Sequence, residues 1–334
     1  MSTAQPFVEL AEIEAARSAI AATVRRTPVN KSPSLSELLG CPVHLKLEHT
    51  QITGSFKLRG ATNAVASLSD ADKQRGVAGV STGNHGRGLA HAAKAAGVRC
   101  IICMSRLVPQ AKIDGIKAQG AEVRIVGNSQ DEAQLEVDRL VDEDGLTMIP
   151  PFDHRAIIAG QGTLGLELLE QVPDVATVLV PLSGGGLVSG VAAALKAMRP
   201  DVRIIGISME RGPAMHECLK AGGPVLVKEL ATLADSLGGG IGLGNQLTFA
   251  MTRDLVDDVV LVSEAEIAAG IRHIYWQERQ IVEGAGAVGV AALLSRKVES
   301  VGPVAAILSG GNIDMKQHHR VISGEDVDVT QEAA

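Results

Sequence analysis

Aromatic residues are scarce in this chain of 334 residues: they make up 2% of it, as four Phe, one Tyr and one Trp. The net charge is −7, and the sequence contains no block of basic residues and no row of aromatic side chains. Proteins that bind nucleic acid need such basic or stacking surfaces, so no nucleic-acid partner is expected. The longest apolar runs, such as residues 177–182, have the length of a strand, far below the ~20 residues that cross a membrane.

Cysteine is also rare, with four residues in the whole chain. Four cysteines in a chain of this length make no disulfide framework, and residues 1–10 contain Glu9 but no basic segment followed by an apolar one. We therefore expect a cytoplasmic location. Cys100 and Cys103 form a C-x-x-C pattern inside a predicted strand, residues 98–104. Residues three apart on a strand face opposite sides, so we predict two buried structural thiols rather than a metal or redox pair.

Small apolar residues dominate what the chain does contain: 46% of it is apolar, and it has 37 glycines. Short apolar strands alternate with amphipathic helices, which predicts β-α-β units and parallel sheets. A first series of strands is predicted at 77–80, 98–104 and 122–126, and a second at 177–182, 202–208 and 303–308. A Pro-Pro-Phe-Asp run at 150–153 separates the two series. The predicted fold class is therefore α/β, with two domains that each hold a mainly parallel sheet flanked by helices.

A run of three glycines follows the predicted strand 177–182 and opens a helix. Gly184, Gly185 and Gly186 present backbone N–H groups at a helix N-terminus, which favours a phosphate; the alternative interpretation is a tight turn. The spacing matches neither the nucleotide P-loop nor the dinucleotide fingerprint. A later glycine run at 238–244 comes close to that fingerprint, but no strand is predicted before it, so we discount it.

Three further motifs carry polar side chains. Lys57 follows a Gly-Ser turn at a predicted helix start, where the helix dipole disfavours an ammonium. Such a position suits a lysine that must become a neutral nucleophile, although a lone lysine is most often a solvated surface group. The run Ser-Thr-Gly-Asn-His-Gly at 81–86 combines hydroxyls, an amide and N–H groups as a carboxylate site does; its alternative is an N-cap turn. Ser309 follows another strand, either within a turn or as a neutral hydroxyl that faces a ring nitrogen.

The motifs S-F-K-L-R-G, S-T-G-N-H-G, S-G-G-G-L and L-S-G-G-N occur in this order along the chain. With them the chain, from about residue 10 to about residue 322, resembles the fold-type II pyridoxal-phosphate enzymes, in the branch of threonine/serine dehydratases and serine racemases. The resemblance implies a fold like that of the tryptophan synthase β-subunit and a homodimer. It also implies a large cofactor-binding domain (1–52 and 153–322) and a small domain (53–152). Residues 323–334 are predicted to form a frayed tail.

Residue roles also follow from the resemblance. Lys57 would form the Schiff base with pyridoxal phosphate and remove the Cα proton, and Thr82 stands where racemases have a serine as a second acid/base. Contacts with the cofactor are implied for Phe56, Lys57, Asn84, Gly184, Gly185, Gly186, Leu187 and Ser309. Contacts with the carboxylate of a small amino-acid substrate are implied for Ser81, Asn84 and His85. No metal is expected, because after Glu210 the position of a metal-binding Asp is occupied by His216.

The implied reaction is that of an ammonia-lyase, which eliminates water from a small β-hydroxy amino acid to give an oxo acid and ammonia. The Gly-Ile-Gly-Leu and Tyr-Trp-Gln-Glu-Arg runs at 240–243 and 275–279 are most similar to the hydroxyectoine-utilisation dehydratases. That subgroup would act in hydroxyectoine degradation, on 3-hydroxy-2,4-diaminobutyrate or its acetylated form, rather than on threonine or serine. Other enzymes of the same fold stay open as alternatives: an amino-acid racemase or a β-replacement synthase. From another class, the alternative is a non-catalytic protein that binds phosphate or an amino acid.

Overall fold

The computed structural model describes residues 7–81, 83–106, 108, 110–299 and 302–326. The helices are α1 (Leu10–Ile20), α2 (Pro33–Leu39), α3 (Lys57–Ala66), α4 (Asp70–Arg75), α5 (Asn84–Ala95), α6 (Gln110–Ala118), α7 (Gln130–Asp144), α8 (Arg155–Gln171), α9 (Gly186–Met198), α10 (Ala214–Ala221), α11 (Thr248–Leu255), α12 (Glu264–Trp276), α13 (Gly284–Leu294) and α14 (Met315–Ile322). The strands are β1 (Val29–Lys31), β2 (Val43–Lys46), β3 (Val77–Val80), β4 (Cys100–Met104), β5 (Glu122–Ile125), β6 (Thr147–Met148), β7 (Thr177–Pro181), β8 (Arg203–Met209), β9 (Asp258–Val262) and β10 (Val304–Ile307). Short 3-10 turns occupy Glu48–Thr50 and Asp235–Leu237.

Two separate sheets form the centre of the molecule. The larger sheet has the strand order β1-β2-β10-β7-β8-β9, and among its described strands only β1 and β2 pair antiparallel. The smaller sheet has the order β5-β4-β3-β6, and its described pairs are parallel. Strand β7 lies in the middle of the larger sheet and is buried along its whole length, as expected where helices cover both faces. The predicted α/β fold class with two mainly parallel sheets is confirmed.

The smaller sheet is inserted between two parts of the larger one. Strands β1 and β2 enter the larger sheet first, β3 to β6 then form the smaller sheet, and β7 to β10 complete the larger one. The domain boundaries predicted near residues 52 and 153 stay predictions, and this insertion is consistent with them. Of the tail predicted at 323–334, the structure describes residues 323–326. Within these residues, Glu325 accepts a hydrogen bond from Arg320. No helix within the described residues is both long and apolar enough to cross a membrane.

The two cysteines of the C-x-x-C pattern lie on opposite faces of β4, as predicted. Cys100 packs with residues of α5, including Leu89, whereas Cys103 packs with residues of α7, including Val137. Neither thiol is in a disulfide. Burial raises the pKa of Cys100 to about 12 and, with the charge of the Glu136 carboxyl, that of Cys103 to about 11. Both are therefore protonated structural residues.

The sequence pattern places some element boundaries well and misses others. Helix α12 begins with a capping box, a local Ser-x-x-Glu pattern: the Ser263 hydroxyl accepts from the Glu266 amide and the Glu266 carboxylate accepts from the Ser263 amide. Helix α11 is not predicted, because its N-terminus is capped from a distant segment. The Asp153 carboxylate accepts hydrogen bonds from the amides of Leu247 and Thr248, both over 2.9 Å. A cap that comes from 94 positions earlier leaves no local signal in the sequence.

Candidate active site

A cavity of about 630 Å³ lies at the carboxyl ends of strands from both sheets. Val80 at the end of β3 and Pro181 at the end of β7 form part of its wall, which is the usual place for a ligand in parallel α/β sheets. The predicted site residues that line it are Phe56, Lys57, Ser81, Asn84, His85, Gly184, Gly185, Gly186, Leu187 and Ser309. Thr82, predicted as a catalytic position, lies outside the described residues. Side chains from four separate motifs thus meet at one cavity.

Lys57 is the first residue of α3, and its side chain lines the cavity. Its Nζ donates a hydrogen bond to the carbonyl of Pro151 over 2.7 Å and lies 5.4 Å from the centre of the Phe56 ring. Burial lowers the pKa of Lys57 from 10.5 to about 8, although the Glu283 carboxyl opposes the shift. Near pH 7 a larger share of this amine is neutral than in an ordinary lysine. Neutrality is what a nucleophile or a general base requires.

The three glycines form a cradle that side chains would fill. A Cβ at Gly184 would lie 2.4 Å from the Phe152 ring, and one at Gly186 would lie 2.9 Å from the Phe152 Cβ. Gly185 has φ of +88°, and a Cβ there would lie 2.8 Å from the terminal carbon of Met215. Helix α9 begins at Gly186, so its first amides have no partner within the helix and the positive end of its dipole meets the cavity. This arrangement is a site for an anion such as a phosphate.

A buried carboxyl that the sequence analysis did not single out, Glu283, joins two other site residues. Its Oε1 accepts from the side-chain amide of Asn84 over 2.6 Å, and its Oε2 accepts from the backbone amide of Asn312 over 3.1 Å. The side chain of Asn312 in turn donates to Asn84 Oδ1 over 2.6 Å. Burial, with a contribution from the charge of Asp235, raises the pKa of Glu283 to about 7. No local motif marks Glu283, because its partners lie 199 and 29 positions away.

The side chains of Ser81 and His85 form hydrogen bonds to backbone groups in the part of the molecule that contains the smaller sheet. The Ser81 hydroxyl accepts from the amides of Gly83 and Gly86, over 3.2 and 2.9 Å, and so holds the first turn of α5. His85 Nε2 lies 2.9 Å from the carbonyl of Ile149 and must donate to it. Burial, assisted by the charge of Lys57, lowers the pKa of His85 to about 3, so its ring is neutral. Because Nδ1 of this neutral ring is then an acceptor, a carboxylate could be bound here by the Ser81 hydroxyl and the N-terminal amides of α5 but not by the His85 ring. The predicted contact with a substrate stays a prediction.

Ser309 follows β10 and presents a neutral hydroxyl at the cavity wall. Its Oγ donates a long hydrogen bond of 3.4 Å to the carbonyl of Ala285, and its own carbonyl accepts from the amide of Phe56 over 3.1 Å. The segment after β10 is thereby attached to the turn that precedes Lys57. Ser309 therefore lies at the cavity, and its predicted role as a neutral partner of a ring nitrogen stays a prediction.

Several wall residues of the cavity were missed or discounted in the sequence. The glycine run at 238–240 lines the cavity and directly follows the 3-10 turn Asp235–Leu237. Because this turn and not a strand precedes it, the run forms part of the cavity wall and is not a dinucleotide-binding fingerprint. Lys112 on α6 forms an ion pair with Asp235, with Nζ and Oδ2 2.8 Å apart, and Gln134 on α7 lies nearby on the same wall. The ion pair joins the two halves of the cavity, which sequence spacing cannot reveal.

The residues present fit a phosphorylated aldehyde cofactor. The Lys57 amine can attach an aldehyde, the glycine cradle can hold its phosphate, and both line one cavity. For a metal the fit is poor: no group of three or more His, Cys, Asp or Glu in the described part of the chain has a metal-binding arrangement. Glu210 instead forms an ion pair with Lys297 over 3.3 Å. Fold and cavity together fit the class of α/β enzymes that hold a phosphorylated aldehyde at a lysine.

The chain belongs to the family of pyridoxal-phosphate-dependent enzymes, whose sequence profile matches residues 20–310. It is 64% identical over 318 residues to a Sinorhizobium fredii protein named "Putative threonine dehydratase", covering 95% of this chain and 96% of that one. An L-threonine ammonia-lyase of Thermotoga maritima is 42% identical over 95% of this chain and 79% of its own length. The structure of maize serine racemase superimposes with a TM-score of 0.89 at 34% identity, over 95% of this chain and 98% of that one. The predicted family and the predicted cofactor, pyridoxal phosphate, are confirmed.

Proposed function

We propose that this chain is an ammonia-lyase that removes water from a small β-hydroxy amino acid, L-threonine or L-serine in the simplest case, and releases an oxo acid and ammonia. The observation that carries the proposal is the alignment over 95% of the chain with proteins named for threonine dehydration and ammonia release. The cavity supports it, because the Lys57 amine, with its lowered pKa, and the phosphate cradle at 184–186 face the same space.

Each group of site residues has its own task in this reaction. Bound pyridoxal phosphate supplies an electron sink for the charge that develops at Cα. The amides at 184–187 hold the phosphate, and the first turn of α5, with the Ser81 hydroxyl and the backbone amides of Asn84 and His85, binds the substrate carboxylate. Once the substrate amine has taken its place, neutral Lys57 accepts the Cα proton, and the ammonium so formed is the source of the proton with which the β-hydroxyl leaves as water. The released enamine tautomerises and is hydrolysed in solution to the oxo acid and ammonium.

Ser309 favours elimination over slower competing reactions. A neutral hydroxyl cannot keep a ring nitrogen protonated as a carboxylate would, so charge at Cα is less delocalised and is used promptly to expel the β-hydroxyl. Ser309 does not exclude a racemase, because L-S-G-G-N is among the motifs by which the chain resembles both the dehydratases and the serine racemases. Similarity to maize serine racemase keeps racemisation as the second candidate, and Thr82 is the position where it would be decided.

The narrower proposal is a substrate derived from hydroxyectoine, 3-hydroxy-2,4-diaminobutyrate or its acetylated form. Among the described wall residues, the carboxyl groups of Glu229, Asp235 and Glu283 outnumber the amines of Lys57 and Lys112. Because Asp235 pairs with Lys112 and the pKa of Glu283 is raised to about 7, Glu229 is the wall carboxylate best suited to meet a second ammonium on the substrate. The glycines at 238–240 leave this part of the wall without side chains, which provides space for a longer substrate.

A cytoplasmic homodimer completes the proposal, and light scattering of the purified protein tests the dimer.

A side-by-side assay tests the activity. Purified protein is expected to absorb in the visible range and to release ammonia from a β-hydroxy amino acid. Comparison of the rates with L-threonine, L-serine and 3-hydroxy-2,4-diaminobutyrate identifies the preferred substrate. Lys57→Ala is expected to lose both the absorbance and turnover, whereas Lys112→Ala, on the same wall, keeps the absorbance. Protein that stays colourless with pyridoxal phosphate contradicts the proposal. Inversion of chirality without ammonia identifies a racemase, product formation only with an added thiol identifies a β-replacement synthase, and binding without turnover identifies a binding protein.

A further inference from the structure

Four buried charges form a neutral cluster beside the helix that carries Lys57. Arg59 donates to both oxygens of Glu48, each over 2.8 Å, and to both oxygens of Glu167, over 2.7 and 2.9 Å. The Lys46 ammonium shares Glu167 at 2.6 Å. The side chains of Arg59, Glu48 and Lys46 are 0–1% exposed and that of Glu167 is 11% exposed. Burying such charges is expensive, and apolar residues would commonly serve stability at least as well, so the cluster calls for another explanation.

The cluster connects α3 with two other elements, the end of β2 and α8. Arg59 lies on α3, Lys46 ends β2 and precedes the turn with Glu48, and Glu167 lies on α8. Lys57 and Arg59 are two positions apart, so their side chains leave α3 on roughly opposite sides. Lys57 therefore faces the cavity while Arg59 faces the larger sheet and α8. Any rotation or slide of α3 that moves the Lys57 amine must also move the Arg59 guanidinium.

Close backbone packing leaves α3 few ways to move. A Cβ at Gly88 on α5 would lie 3.2 Å from the backbone of Lys57, and a Cβ at Gly160 on α8 would lie 2.6 Å from the Cα of Gly60. Helices α5 and α8 therefore contact α3 closely on two sides. Such contacts between glycines and backbone lack interlocking side chains, so they prevent α3 from moving towards either helix but do less to prevent it from sliding along its axis. The guanidinium resists sliding, because its planar fork can donate to two carboxylates in only one orientation.

We propose that Arg59 is a positioning residue, whose hydrogen bonds to Glu48 and Glu167 set the rotation and axial position of α3 so that the Lys57 amine reaches the cofactor aldehyde. The inference rests on the proposed role of Lys57 in attaching the cofactor. It assigns a purpose to the arginine of the S-F-K-L-R-G motif, which the reaction itself does not use. The phosphate cradle, at 184–186, begins α9 and contributes no residue to this cluster.

Two measurements on the apoenzyme separate positioning from general stability. The first is the rate at which absorbance appears after pyridoxal phosphate is added, which reports attachment to Lys57. The second is the affinity for inorganic phosphate by calorimetry, which reports the cradle. In Arg59→Lys the fork is lost while the charge stays, and we expect attachment to slow by about 100-fold, the effect of misplacing a reacting group by roughly 1 Å. Phosphate affinity is expected to stay within about twofold of wild type, because no cradle contact changes.

Two further variants keep the test decisive. Glu48→Gln retains the shape of the carboxyl and one acceptor, so it is expected to slow attachment by about tenfold even if Arg59→Lys does not fold. Arg155→Lys is the matched control, since Arg155 on α8 also binds both oxygens of a glutamate, Glu12, over 2.9 and 2.6 Å, and does not line the cavity. It is expected to attach the cofactor at the wild-type rate.

The inference is overturned if Arg59→Lys and Glu48→Gln both attach pyridoxal phosphate at the wild-type rate. It is also overturned if phosphate affinity falls in parallel with attachment, because that result describes a general loss of structure. Lys57→Ala distinguishes the proposed function from the inference. If that variant still develops the absorbance, the assignment of Lys57 is wrong, whatever Arg59 does.

Discussion

The proposed attachment of the cofactor depends on the lowered pKa of Lys57, and one substitution changes that pKa in a known direction. The Glu283 carboxylate attracts the Lys57 ammonium and opposes the effect of burial. Glu283→Gln removes that charge and keeps one acceptor for the amide of Asn84. We expect the pKa of Lys57 to fall below about 8, because burial then acts without an opposing charge.

The size of the effect follows from the neutral fraction of the amine. At pH 7 an ordinary lysine with a pKa of 10.5 is about 0.03% neutral, whereas a lysine with a pKa of about 8 is about 9% neutral, a gain of roughly 300-fold. Since about a tenth of Lys57 is already neutral at pH 7, Glu283→Gln can accelerate attachment there by at most about tenfold. Above about pH 9 the amine is neutral in both proteins, and no acceleration is expected.

The assay is stopped-flow mixing of apoenzyme with pyridoxal phosphate from pH 6 to about pH 11, with wild type and variant compared at each pH so that ionisation of the free cofactor cancels. The rate for wild type is expected to rise with a midpoint near pH 8. For Glu283→Gln the midpoint is expected at lower pH. Glu229→Gln is the matched control, because Glu229 is a carboxylate of the same cavity wall that does not act on the pKa of Lys57. A variant midpoint at or above that of wild type, or a wild-type midpoint near 10.5, would refute the reasoning.

Three further predictions follow from the cradle, the strand thiols and the Glu210 ion pair. Gly185→Ala places a side chain at φ of +88° and 2.8 Å from a carbon of Met215, so the affinity for pyridoxal phosphate, measured by absorbance titration, is expected to fall at least about tenfold. Cys100 and Cys103 are expected to react with iodoacetamide only after unfolding; labelling of the native protein in mass spectrometry contradicts their burial. Because Lys297 already pairs with Glu210, treatment with a chelator is expected to leave ammonia release unchanged, and a loss that Mg²⁺ restores is the contrary result.

The local sequence determined the parts of this protein that depend on neighbouring residues. The glycine run before α9, the Gly-Ser turn before Lys57 and the capping box at Ser263 each act within a few positions, so their patterns are visible in one dimension. The strand ends could also be placed, because buried parallel strands are short apolar runs. Since carboxyl ends of such strands converge, the motifs that follow them could be expected at one site.

Only the tertiary structure decided which distant groups meet and how their protons are held. Glu283 touches Asn84 across 199 positions, and Arg59 joins Glu167 across 108. Neither pairing leaves a periodic signal, because the partners lie on different elements. The neutral ring of His85 and the lowered pKa of Lys57 have the same origin, since loss of water around a charge depends on everything packed there and not on adjacent residues. The local sequence pattern therefore determined which functional groups are present at the site, and burial in the tertiary structure determined how those groups are protonated.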